Sequence, residues 1–127
     1  MEVKRTERGW GGHFIGAADC LFRRNTLLEY GDVRIVISTI GLYLPSSAKE
    51  KREFQEIGAH GRMFETMAFH AKREQNRYWD ADVSRQISFE SEWAINHADA
   101  DDEANIMHDR VVNEISEQLK GGNQYCV

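Results

Sequence analysis

Alternation of apolar and polar positions divides this chain into a β-rich body and a helical end. Phe22, Arg24, Thr26, Leu28 and Tyr30 share one parity, as do Trp79, Ala81, Val83, Arg85, Ile87 and Phe89. Side chains alternate across a strand, so each set predicts one strand face. Strands over 21–30 and 33–44 flank Gly31-Asp32, a pair that signals a hairpin turn. A two-residue turn sets Tyr30 opposite Val33, Leu28 opposite Ile35, Thr26 opposite Ile37 and Arg24 opposite Thr39. The other face, with Arg23, Asn25 and Ser38, reads as mixed. Two more strands, over 62–71 and 78–89, flank the segment from Lys72 to Arg77. A loop over 45–52 is opened by the only proline. Beyond residue 98 the period changes. Ala104, Met107, Val111, Ile115 and Leu119 recur at spacings of three and four, the stripe of an amphipathic helix. Asp99, Asp101, Asp102 and Glu103 suit its N-terminus, and Lys120 before Gly121-Gly122 suits its end. The pattern predicts an α+β fold, an antiparallel β-sheet core followed by a long C-terminal amphipathic helix. It reads as a single domain over 1–127, with a loose arm at 1–8, a β-rich core at 9–95 and a helix at 99–120.

The 127 residues suffice for a real core. No apolar run approaches the roughly 18 residues of a membrane span. The charged first eight residues lack a signal-peptide core. Cys20 and Cys126 are too few for a disulfide framework or a zinc knuckle. The expectation is a soluble cytoplasmic protein with reduced thiols. Net charge is −5, unevenly spread: residues 1–88 hold 14 Lys/Arg and 12 Asp/Glu, and residues 89–127 hold 2 and 9. Without a basic stripe, duplex nucleic acid is not an expected partner. Arginine outnumbers lysine 11 to 5, a bias that favours shaped, bidentate contacts to carboxylate or phosphate.

Arg24 and Arg85 interrupt faces that are otherwise core-like. A permanently charged guanidinium there must find an anion or stay wet. The anion is either the protein's own carboxylate, such as Glu65, or a bound phosphate. Arg62 and Arg110 are further phosphate candidates. Among the aromatics, Trp10, Phe64, Trp79, Phe89 and Trp93 can stack a base. Asn25, Asn96 and Asn105 can read an adenine edge through the amide, although turn or cap duty also explains them. His13, His60, His70, His97 and His108 form no metal-ligand motif, so no metal or cofactor is expected. Asp80, Asp82 and His70 permit a hydrolytic arrangement, but their strand face also reads as plainly solvated. No glycine-rich phosphate loop and no nucleophile elbow is present.

Taken together, Trp10-Gly11-Gly12-His13-Phe14, the segment from Cys20 to Leu28 and the segment from Tyr78 to Ile87 resemble a family of small phage and prophage proteins. It is the first type of Thoeris anti-defence protein, a phage-encoded nucleotide sponge, and the likeness spans about residues 8–122. The resemblance implies a β-sheet core with C-terminal helices, paired into homodimers or multiples of dimers in the host cytoplasm. It implies binding of cyclic ADP-ribose isomers, and in some members cyclic oligonucleotides, without cleavage. By that likeness, Phe89 or Trp79 would stack, Asn96 would take the base edge, and Arg24, Arg85 and Arg110 would take phosphates. The competing expectations are a small phosphodiesterase using Asp80, Asp82 and His70, and an acidic protein-binding inhibitor using residues 99–103.

Overall fold

A computed structural model describes residues 2–10, 13, 15–48, 50–51, 53–57, 61–88 and 93–122. The strands are β1 (Lys4–Arg8), β2 (Cys20–Tyr30), β3 (Val33–Tyr43), β4 (Phe64–Glu74), β5 (Tyr78–Ser88) and the short β6 (Ala94–Ile95). The helix α1 spans Asp101–Lys120. All pairings are antiparallel, in the order β1-β2-β3-β4-β5, with β6 on β4. The predicted α+β architecture is the observed one. So is the hairpin register: Tyr30 pairs with Val33 and Arg24 with Thr39. Gly31 takes φ +59° in that turn, a conformation glycine adopts without penalty.

Two expectations change. Residues 4–8 are not an arm but an edge strand, whose charged side chains suit a sheet edge. The face proposed for β5 is also broken. Between Ala71↔Ala81 and Phe69↔Gln86 the register advances two residues on β4 and five on β5. The odd surplus flips the phase of the strand. Trp79 and Ala81 therefore pack with Leu27, Val36 and Phe69, whereas Ile87 packs on the helix side. Asp82 stabilises the bulge, because its Oδ1 accepts from the backbone N–H of Ser84 at 3.1 Å and its hydroxyl at 2.6 Å. Val83 is left 60% exposed.

The helix lies on one face of the sheet. Ala104, Met107, Val111, Val112, Ile115 and Leu119 pack against Leu28, Ile35, Ile37, Phe64 and Ala68. Gly41 pairs with Phe64, and a Cβ at residue 41 would stand 2.1 Å from Phe64 Cδ2. A polar chain crosses this apolar layer. Thr26 Oγ1 donates its only proton to Glu7 at 2.7 Å. His108 Nε2, 2.7 Å from the same oxygen, must therefore be the donor there. Its Nδ1 then accepts from Thr39 Oγ1 at 2.6 Å, and Thr39 accepts from Thr66 at 2.6 Å. One neutral tautomer satisfies every member. Burial, and then the nearby Arg24 charge, push the His108 pKa down to about 4. Burial pushes the Glu7 carboxyl up, but hydrogen bonds from Arg24 and Thr26 outweigh it and hold Glu7 below the usual range.

Two outcomes follow for stability. Gly41→Ala should destabilise by about 1–3 kcal/mol in chemical denaturation, as overpacking does, with partial recovery in a Gly41→Ala, Phe64→Leu double variant. His108 is neutral in the fold and titrates at its ordinary 6.5 when unfolded. Stability is then fully present above pH 6.5 and falls as pH drops toward 4, by up to about 3 kcal/mol. Half-exposed His70, also lowered by burial, adds a smaller effect of the same sign. Urea melts across this range should show the loss, and His108→Gln should flatten most of it.

Candidate functional site

A single long side chain links the two edges of the sheet. Arg8, on edge strand β1, extends its Nη1 to the backbone carbonyl of Trp79 on edge strand β5. Its Nε and Nη2 both donate to Asn25 Oδ1, at 3.0 and 2.7 Å. The guanidinium also lies over the Trp10 ring, 4.6 Å from its centroid. Every one of these partners is neutral, and among the described residues Arg8 makes no ion pair. Burial accordingly pushes its pKa below the ordinary value, with Asp80 and Glu29 acting against that from a distance. Three of the five guanidinium N–H groups are committed, and two remain. Asn25 spends its carbonyl on Arg8, and among the described residues its fully buried Nδ2 finds no acceptor.

Beside Arg8 is a cleft of about 320 Å³ lined by Trp10, Tyr78 and Asp80. That volume is at the small end of ligand pockets. Trp10 and Tyr78 meet edge to face at 6.2 Å and are 40% and 42% exposed. Asp80 Oδ1 accepts from the N–H of Ala81 at 2.8 Å. The cleft thus combines two accessible aromatic rings and a carboxylate, and the Arg8 guanidinium, without a carboxylate partner, lies over the ring of Trp10 outside that lining. Such a site can stack a planar group and attract an anion.

The residues singled out from sequence are dispersed. Arg24 meets two internal carboxylates: Glu7 through Nε at 2.9 Å and Asp109 through Nη1 at 3.0 Å. Phe64 is fully buried under the helix, edge-on to Phe22 at 5.4 Å. Trp79 stands on the opposite sheet face, with Arg34 4.6 Å and Arg73 5.5 Å from its ring centroid. Arg85 follows the β5 bulge, where its charge acts on His70 and Asp82. It makes no ion pair among the described residues. Asn96 is exposed just after β6, and Arg110 is exposed on the helix. Phe89 lies outside the described residues. Glu65 pairs with neither Arg24 nor Arg85; it takes Arg62 at 2.8 Å and His13 at 3.2 Å.

The hydrolytic arrangement is not assembled either. Asp80 and Asp82 are held by different backbone groups on either side of the phase change, and His70 Nδ1 is buried without a partner. A different trio, Ser38–His13–Glu65, has the order of a nucleophilic triad, with His13 Nδ1 2.8 Å from Ser38 Oγ. Ser38 has no exposed surface, so the contact fastens His13 to the sheet and presents no nucleophile to a substrate. No group of three metal-ligating side chains occurs among the described residues. Among the described residues no helix is long and apolar enough to cross a membrane.

Sequence reasoning named Trp10 as a stacking candidate but missed Arg8, Tyr78 and Asp80 as its neighbours. The only sequence signal was Arg8 two residues before Trp10, since the cleft forms where non-neighbouring strands meet. Comparison with protein-family models, curated proteins and solved structures finds no match for this chain.

The two arginines that opened the question should part company on mutation. Arg24→Ala strands Glu7 beside Thr26 and should cost about 1–2 kcal/mol, moderated by the solvent exposure of its partners. Arg85→Ala should stay within about 0.5 kcal/mol of the parent. Thermal melts of both variants at pH 7 check this.

Proposed function

We propose that this protein binds and sequesters a nucleotide signal of the cyclic ADP-ribose class without cleaving it. The observation that carries the reading is the Trp10–Tyr78 cleft with Arg8 beside it. Stacking plus a guanidinium with spare donors suits a base joined to a phosphate. A sponge needs such preorganised contacts and no general base, and the affinity comes from low reorganisation cost. Trp10 and Tyr78 replace Trp79, Phe64 and Phe89 as the stacking groups in this reading, and Arg8 replaces Arg24 as the phosphate donor. Arg85 stands apart as a second positive position. The resemblance to anti-Thoeris sponges favours the same ligand class and a homodimer, which would cover exposed apolar positions such as Leu21 and Val83.

Calorimetry with cyclic ADP-ribose isomers tests this. Trp10→Ala should weaken binding about 5- to 150-fold, the loss of one stacked base, while Trp10→Phe retains most of it. Unchanged affinity in folded Trp10→Ala protein would remove the ligand from this cleft.

A further inference from the structure

Asp80 gives the cleft a sign that decides which part of a nucleotide faces it. An ionised carboxylate only accepts hydrogen bonds and repels phosphate. Its Oδ1 is partly used by the Ala81 N–H at 2.8 Å. Among the described residues its Oδ2 has no donor, because Lys72, opposite Asp80 in register, binds Glu74 at 3.2 Å instead. Acceptor capacity is therefore unspent beside two exposed rings. The rings take the face of a base, so what reaches the carboxylate is the donor-rich group attached to it. In a nucleotide that group is the ribose, whose hydroxyls an acidic side chain accepts in other nucleotide sites. Like charge then directs the phosphate away from Asp80.

We propose that Asp80 accepts hydrogen bonds from the ribose hydroxyls of a nucleotide stacked on Trp10 and Tyr78, and so selects ribonucleotides over 2′-deoxyribonucleotides. This rests on the nucleotide reading of the cleft. Two probes separate them: ADP and 2′-deoxy-ADP, titrated by calorimetry into the parent protein, Asp80→Asn and Trp10→Ala. Asparagine keeps an Oδ1 for the Ala81 N–H, so β5 should survive, and thermal melts verify that. The parent should bind ADP about tenfold more tightly than 2′-deoxy-ADP, the worth of one hydrogen bond to a charged group. Asp80→Asn should erase the preference by weakening ADP while leaving 2′-deoxy-ADP equal or tighter. Equal affinity of the parent for both probes overturns the assignment and leaves the cleft reading standing. An equal gain for both probes in Asp80→Asn also overturns it, since Asp80 would then act only as a repelling charge. Failure of both probes to bind the parent overturns this proposal and leaves the cleft reading to the cyclic ADP-ribose titration, whereas full affinity for ADP in Trp10→Ala places the nucleotide outside the cleft and defeats both.

Discussion

The hydrogen-bonded chain from Thr66 through Thr39, His108 and Thr26 to Glu7 is the constraint on which the other features depend. It runs through the apolar layer between sheet and helix, where an unpaired polar group costs about 1–3 kcal/mol. Each link comes from a different element, so shifting β2, β3 or β4 by one residue turns its threonine to the other face and breaks the chain. Arg24 closes the outer end by binding Glu7 and Asp109, and so ties β1, β2 and the helix together. The same constraint builds the cleft. Because neighbours on a strand alternate, holding Glu7 toward the helix sends Arg8 to the other face. There it meets Asn25 and Trp79 and lies over Trp10.

The arginines divide along lines set by what each can reach. Arg24 has carboxylates on two neighbouring elements and acts as a clamp. Arg62 joins His13 on Glu65, whose carboxyl burial pushes up but whose two hydrogen bonds bring it below the usual range. Arg34 and Arg73 lie over the Trp79 ring. Arg8 combines partial burial, neutral partners and a neighbouring cleft. A guanidinium in that position gains from an anion supplied from outside.

The hairpin register, the helix stripe and the fold class were legible because period-2 and period-3.6 patterns report directly on burial. Strand β1 was not, since Lys4-Arg5-Thr6-Glu7-Arg8 carries charge on both faces and its partners lie far along the chain. The β5 bulge was hidden for another reason. Asp82 and Ser84 look like solvated alternating residues, and only their hydrogen bonds show the change of phase. The β4–β5 turn uses Gln75 and Asn76 at φ +50° and +58°, without the glycine that marks such turns. The site suffered most. Arg24 and Arg85 were conspicuous because they broke a pattern, whereas Arg8, Tyr78 and Asp80 broke none, and Arg8 nears the other two only because its side chain reaches from β1 to β5.

The central claim is a nucleotide held and not cut. The direct measurement is to incubate the protein with a cyclic ADP-ribose isomer, remove free ligand, denature the protein by heat and identify what is released by mass spectrometry. Intact ligand in near-stoichiometric amount is the expected release. Release of a ring-opened or hydrolysed product, or of no nucleotide at all, would contradict it.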